Sequence, residues 1–202
     1  MAINTYLCNM MKKIEYGFSD SPFGELIVAR TWDGICDMQF LEHNRMETIH
    51  ELARRWGVYT PTTQSNTMAE TVARVIFEGY DHELRLDLRG TDFQVRVWQE
   101  LLNIPFGQTA SYLQVAERLG NAKAVRAVAS AIAQNPIAML IPCHRVVHSD
   151  GTTGEYHWGP ELKRRLIAWE AAAAPLGKVK APRLVCKASG LPLTDEREDG
   201  EA

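Results

Sequence analysis

The chain contains no apolar run of about 18 residues or more, so nothing in it reads as a membrane span. It has little cysteine. Cys8, Cys36, Cys143 and Cys186 are far apart and irregularly spaced, which argues against a disulfide framework and fits a reducing cytoplasm. No lysine or arginine precedes the short mixed segment at the N-terminus and no cleavage site follows it, so secretion is not expected. An apolar content of 46% makes the chain globular rather than disordered, and 202 residues suffice for one large domain or two small ones.

Net charge is also scarce, −3, and this slightly acidic balance speaks weakly against a nucleic-acid partner. Its distribution reverses that. Residues 195–201 hold five acids against Arg197, a net −4, which leaves the remainder of the chain at +1. From Arg118 to Ser149 acids are missing altogether, while Arg118, Lys123, Arg126 and Arg145 are present. Local field decides whether phosphates are attracted. On charge alone, a DNA-facing surface and an ordinary solvated one remain equally open.

The most informative residues are Pro142-Cys143-His144-Arg145-Val146, which follow the buried-looking, strand-like run Ile137–Ile141. A thiol becomes reactive as the thiolate, and a positive or hydrogen-bonding neighbourhood favours that form. His144 and Arg145 are expected to supply it. A Cys–His protease would pair residues distant in sequence, and no protease signature is visible. A metal site from Cys143, His144, His148 and His157 lacks standard ligand spacing. An inert buried cysteine is the bland alternative.

Ahead of this motif, residues 13–40 read as strands. Leu26-Ile27-Val28 and Ile35–Phe40 flank Trp32-Asp33-Gly34, a hairpin turn signal. Asn44 is expected to cap a helix through Trp56, 58–67 to form a loop, and Met68, Val72, Val75 and Ile76 to lie on one side of a second helix. Leu84–Leu88 alternates as a half-buried strand, and Arg89-Gly90-Thr91 reads as the seam between two halves.

In the second half, Asp92 is expected to cap a helix through Leu102, and Ser111 a short helix from Tyr112 to Leu119 closed by Gly120. A further helix runs from Ala122 to about Gln134. Two short helices joined by a tight turn form a helix-turn-helix pattern, which many purely structural helix pairs share. The second helix is small on nearly every face (Ala122, Ala124, Ala127, Ala129, Ser130, Ala131, Ala133), with Arg126 the long side chain in its middle. Such a helix either packs closely on another or brings its backbone close to DNA in the minor groove, with one arginine to insert between bases. A thiolate that takes a group from a base needs that base flipped out of the stack. Pro160 and Glu161 open a last helix to about Ala173.

These residues resemble the O6-alkylguanine-DNA alkyltransferase family, the methylated-DNA–protein-cysteine methyltransferases. The likeness runs from about Arg89 to Ala172. It is carried by Phe93, Val97-Trp98, Pro105-Phe106-Gly107, Ser111-Tyr112, Ala124–Val128, Asn135-Pro136, Ile141–Val147, Gly154-Glu155-Tyr156 and the helix with Lys163 and Glu170. Ser21–Gly24 and Gly34-Ile35 fit the family's first domain more loosely. Tyr156–Gly159 is most similar to the alkyltransferase part of the bacterial adaptive-response protein. The resemblance implies a ribonuclease-H-like α/β domain over 1–88 (a small antiparallel sheet with helices) and a mainly α domain with the helix-turn-helix over 89–174. Residues 175–202 are expected to be a flexible acidic tail.

The resemblance further implies direct-reversal DNA repair. Cys143 would accept the alkyl group irreversibly from O6 of guanine, and from O4 of thymine. His144 would deprotonate it through a water, with Glu170 polarising the imidazole. Tyr112 would assist rotation of the nucleotide and protonate the leaving base. Arg126 would fill the stack, and the helix carrying Ala124, Ala127, Ser130 and Ala131 would lie on the DNA. Asn135 would brace the turn, and Val146, Tyr156, His157 and Trp158 would line the pocket. The partner would be double-stranded DNA bound through the minor groove by a monomer, with no cofactor and no membrane.

Some relatives hold a structural zinc. Here Thr31 and Cys36 fall at two of its ligand positions, and His43 and His82 are weak substitutes, so no metal is expected. The bulk of His157 and Trp158 favours small alkyl groups. A DNA-binding lesion sensor or transcriptional regulator built on the same pocket is the alternative from another functional class.

Overall fold

The structure, a computed structural model, describes residues 14–42, 44–56, 63–177, 179 and 181–188. Strands β1 (Glu15–Ser19), β2 (Leu26–Arg30) and β3 (Ile35–Phe40) form an antiparallel meander. The turn into β3 needs Gly34. Its φ is +152°, and a Cβ there would meet the Arg85 carbonyl oxygen at 2.5 Å. Helix α1 (Arg45–Arg55) begins at Asn44, whose side chain accepts from the Glu47 amide as expected of a cap. A two-residue strand β4 (Thr63–Gln64) and helix α2 (Asn66–Phe77) lead to β5 (Leu84–Leu88). Of the expected 58–67 loop, 58–62 lie outside the described residues, while Thr63–Gln64 instead pairs with β1 and Asn66 opens α2.

The sheet order is β4-β1-β2-β3-β5-β8, where β8 is Leu184–Ala188 and β5 runs parallel to β3. Strand β8 corrects one expectation. These residues pair in parallel with all of β5, so this part of the 175–202 segment is not a free tail. Its sequence shows no clean alternation, and only the open edge of β5 gives it a place. The acidic residues of 195–201 lie outside the described residues.

Beyond the seam, α3 (Asp92–Leu102) is capped by Thr91 rather than Asp92. Thr91 and Gln94 complete a reciprocal capping box, which leaves Asp92 as an acid in the first turn. Ser111 and Gln114 do the same for α4 (Tyr112–Arg118), which follows the short strand β6 (Ala110–Ser111). The expected single helix from Ala122 is a 3-10 turn, Ala122–Ala124, followed by α5 (Val125–Ala133). After α5 the chain passes through turns to a 3-10 turn at Cys143–Arg145 and to β7 (Val146–Val147), parallel to β6. Helix α6 (Pro160–Ala173) closes this half. Among the described residues the fold is thus mixed α/β, with one main sheet and six α-helices.

Residues 137–141 are buried but do not form the expected strand. Ile137 makes an isolated bridge to Met38, Met38 N donates to the Pro136 carbonyl, and Ala138 N donates to the Met38 carbonyl. The rest turns, and Met139 takes a φ of +63°, a conformation that an unbranched side chain tolerates at some cost. The main core accordingly crosses the seam. It joins Leu26, Met38 and Leu86 to Trp98, Ile132, Ile141 and Leu166. A smaller cluster of Phe18, Ile27, Cys36 and Leu52 lies against α1.

Trp98 is the hinge pin of the second half. It is 2% exposed, and its indole N–H donates to the Ala131 carbonyl at 2.8 Å, fixing α5 on α3. Trp98→Phe would leave that carbonyl unpaired and a void beside it. We expect a loss of about 2–3 kcal/mol, read as a lower denaturant midpoint with an unchanged slope.

Candidate active site

Asn135 follows α5 and fixes the turn that carries the cysteine. Its carbonyl oxygen accepts from the Ile137 amide at 3.0 Å. Its amide nitrogen donates to the carbonyl of Ile141 at 2.9 Å, to that of Ile137 at 3.3 Å and to the Cys143 sulfur at 3.1 Å. One buried side chain therefore closes the loop and hydrogen-bonds the thiol it positions.

The 3-10 turn sends the three residues after Pro142 in different directions. Cys143 stays buried at the wall of a cavity of about 580 Å³. His144, fully buried, points inward and its Nε2 lies 2.9 Å from Glu170 Oε1. Arg145 forms a two-pronged pair with the same carboxylate, Nε to Oε2 at 2.8 Å and Nη2 to Oε1 at 3.0 Å, and also donates to the Ile104 carbonyl. The amide of Gly107 adds a bond to Glu170 Oε2 at 3.1 Å.

Burial pushes the Glu170 carboxyl up. The bonds from His144 and Arg145, together with their charges, outweigh it and bring the pKa down to about 2. A carboxylate that stays ionised accepts, so Nε2 carries the imidazole proton. Nδ1 is then the lone pair, and it is buried with no partner in the protein. Burial lowers the pKa of His144 despite Glu170, so the ring is a neutral base at rest.

The expected source of positive charge at the thiol needs correcting. Arg145 is consumed by Glu170, and His144 is neutral. The cation that acts on the sulfur is Lys163, on the first turns of α6. Its ammonium lies 5.7 Å from the centre of the Tyr112 ring, and burial brings its pKa down to about 8. Burial raises the Cys143 thiol above its ordinary value, while Asn135, Lys163 and Tyr156 oppose that rise. Tyr112 is raised by burial, by Cys143 and by Glu155, and so keeps its proton.

Of the residues expected at the site, Tyr112, Arg126, Asn135, Cys143, Tyr156, His157 and Trp158 line the cavity together. Trp158 packs edge-on against Tyr156 at 5.2 Å and against Phe40 of β3 at 5.7 Å. Val146 is fully buried and does not line the cavity, because β7 pairs it with Ala110. Ala131, expected on the DNA side, is buried towards α3. Ala127 and Ser130 are exposed and Ala124 is half-buried, all outside the cavity wall. The wall instead takes Val125, Ala129, Ile132 and Ala133 of α5, with Leu113, His148, Ser149 and Glu155. Helical spacing from Arg126 (three to Ala129, seven to Ala133) carried that signal in the sequence.

The acid-free stretch also thins out. Arg118 pairs with Glu100 at 3.6 Å and Arg145 is internal, which leaves Lys123 and Arg126 as the two cations of the stretch whose side chains make no hydrogen bond or ion pair among the described residues. The two zinc-ligand positions do not fit a metal. Thr31 donates to Asp87 at 2.6 Å, and the buried Cys36 thiol bonds the Ala29 carbonyl and is pushed far up by burial and by Asp37 and Asp87. His82 stacks on Tyr80, and His43 lies outside the described residues.

A family described as 6-O-methylguanine DNA methyltransferase, DNA binding domain, matches residues 92–172. The methylated-DNA–protein-cysteine methyltransferase of Mycobacterium tuberculosis is 38% identical over 162 residues, covering 80% of this chain and 95% of that one. The bifunctional transcriptional activator/DNA repair enzyme Ada of Escherichia coli is 40% identical over 162 residues, covering 78% of this chain and 46% of its own. The present chain thus spans about half of Ada. Among solved structures, Mycobacterium tuberculosis OGT in complex with DNA superposes with a TM-score of 0.65 at 35% identity, over 78% of this chain and 93% of that one.

The depressed Glu170 pKa gives a signed expectation. A carboxyl held near 2 when folded and near 4.3 when unfolded contributes stability above the unfolded value and loses it as pH falls towards 2. Glu170→Gln should be less stable than wild type by about 3 kcal/mol at neutral pH, with the gap closing between about pH 5 and pH 2. Paired denaturation curves across that range read it directly. The Asp37 carboxyl, pushed up to about 6 by burial, is common to both proteins and cancels.

Proposed function

The chain belongs to the methylated-DNA–protein-cysteine methyltransferase family, and we propose that Cys143 is its alkyl acceptor. The protein repairs DNA by direct reversal, moving a methyl or small alkyl group from a damaged base to its own cysteine. The observation that carries the residue assignment is Cys143 at the wall of a base-sized cavity beside the His144–Glu170 pair.

The chemistry follows from these positions. The thiol proton passes through a water to His144 Nδ1, and Glu170 stabilises the imidazolium that forms. The thiolate attacks the alkyl carbon on O6 of guanine. A sulfur–carbon bond forms, the carbon–oxygen bond breaks, and its electron pair stays on the base. Tyr112, which has kept its proton, delivers it to the departing base. The thioether is stable, so each molecule acts once. O4 of thymine is the second substrate of the same step.

The base reaches this cavity by leaving the duplex. The pair α4–α5 serves as the helix-turn-helix, and α5 enters the minor groove with Arg126 held in the vacated stack. What supports this is a helix whose cavity side carries Arg126, Ala129 and Ala133 and whose outer side carries Ala127 and Ser130. Trp158, packed on Phe40 and Tyr156, narrows the mouth and favours small alkyl groups. The protein acts as a monomer in the cytoplasm. A meander extended by a parallel strand reached through helices supports the ribonuclease-H-like reading of the first half.

Two outcomes test this reading. Cys143→Ser should abolish transfer of a labelled methyl group from DNA while leaving DNA binding within about threefold of wild type, since a serine hydroxyl is not ionised at neutral pH. Label on Cys36, or on the serine protein, would sink the assignment. Arg126→Ala should slow repair of duplex DNA by about tenfold or more relative to reaction with free O6-methylguanine, because an inserted side chain helps only where there is a stack to refill. Equal losses on both substrates would place Arg126 in the pocket chemistry or in folding.

A further inference from the structure

We propose that the Tyr156 hydroxyl is the second hydrogen-bond donor to the Cys143 thiolate, and that it engages when the sulfur becomes charged. The proposal rests on Cys143 being the acceptor.

In the resting site the sulfur accepts one side-chain hydrogen bond, from Asn135 at 3.1 Å. Tyr156 reaches the same cavity. Its hydroxyl is buried and close enough to the sulfur to favour its ionised form, yet it makes no well-aligned hydrogen bond at rest, which is costly for a buried hydroxyl. The ring is not free to seek one, because Trp158 packs edge-to-face on it at 5.2 Å. A neutral thiol is a weak acceptor and gives such a hydroxyl little. A thiolate is a strong one and accepts from several donors. The partner missing at rest is therefore the charge that the reaction creates.

The groups around the pair leave this role to Tyr156. Lys163 of α6 acts on the sulfur as a charge, while its ammonium donates to the Glu155 carbonyl at 3.4 Å. Tyr112 of α4 faces the sulfur and Glu155, and in the reading above its proton goes to the base. Glu170 is saturated by Arg145, His144 and Gly107. Against the upward push of burial, Tyr156 favours the ionised form of Cys143. Burial and the neighbouring sulfur hold Tyr156 well above the usual tyrosine range, so it remains a donor throughout.

A donor to the thiolate has two opposed effects. It increases the fraction of sulfur that is ionised, and it lowers the reactivity of each thiolate, which tracks basicity with a slope of about 0.4–0.5. Tyr156→Phe should therefore raise the apparent pKa of the Cys143 thiol by about one unit, read from the pH dependence of its alkylation by iodoacetamide. Methyl transfer from a duplex oligonucleotide carrying O6-methylguanine should be about threefold slower where the thiol is mostly protonated and about threefold faster where it is fully ionised. The two pH profiles should cross. Because phenylalanine fills the same space and removes an unpaired group, the variant should melt at or above the wild-type temperature.

An unshifted thiol pKa would overturn the proposal and leave Tyr156 as packing. A clear loss of stability would overturn it too, since the hydroxyl would then have a partner at rest. If the iodoacetamide profile shifts as stated while wild type transfers no methyl group, the donor role stands and the acceptor reading falls.

Discussion

The buried carboxylate of Glu170 holds three separate pieces of the chain in register, and the placement of the Cys143 thiol depends on all of them. Two of its hydrogen-bond partners come from the turn that carries Cys143, His144 and Arg145. Another is the amide of Gly107 in the loop after α3, and Arg145 extends the contact to the Ile104 carbonyl and, through its face, to the Phe106 ring. Glu170 itself rides on α6. An ion this deep is tolerated only when every lone pair is used, and removing one partner leaves the others stranded. The geometry is correspondingly strict. Gly107 has a φ of +78°, and a Cβ there would lie 2.7 Å from the Ala174 Cβ, so the loop approaches α6 only as glycine.

The same arrangement separates two charges that the motif places side by side. His144 and Arg145 follow the cysteine directly, yet both turn away from it, towards the carboxylate. That leaves the sulfur in a dry wall where the neutral form is favoured, with Asn135 as its hydrogen-bond donor and Lys163 as the cation that acts on it. Lys163 is itself pulled down by burial to about 8, so much of its charge survives at neutral pH. On the proposed mechanism, a thiol kept neutral until a base and substrate are both present is protected from adventitious oxidation, and its ionisation is tied to the residues assigned to transfer.

Much of the fold was legible because it is written in local chemistry. The Asp-Gly turn, the Asn44 and Ser111 caps and the alternation of Leu84–Leu88 each depend on neighbours within a few residues. Failures occurred where distant groups decided. One exception is local: Thr91 rather than Asp92 is the cap, because Gln94 three residues on completes a reciprocal box. Residues 137–141 look like a strand, but three of the bonds at their start go to Met38 and Asn135, and the rest must turn to deliver Cys143. Leu184–Ala188 has no strand signature without β5 beside it. In the site, residue identity was readable and direction was not. Ala131 and Val146 have suitable types for a close surface, yet α3 and β6 claim them. Lys163 was visible only as part of a motif, since its role arises from a helix folded back over the cysteine turn.

The seam between the halves is therefore a join rather than a hinge. Pro136, Ile137 and Ala138 bond to Met38 at the centre of the sheet, immediately after the helix assigned to the DNA and immediately before the cysteine. Phe40, two residues further along β3, meets Trp158 at the cavity mouth. One strand of the first half thus supports both the floor and the rim of the site. On the proposed mechanism this gives the N-terminal sheet a part in the chemistry although, among the described residues, it contributes no side chain to the cavity wall. It fixes where the thiol and the rim stand relative to α5. A shift of about 1 Å between such groups is enough to lose a large share of the rate when reacting atoms must meet in line. Rigidity here comes from backbone bonds to a six-stranded sheet, which is a stiffer support than a loop-built pocket would have.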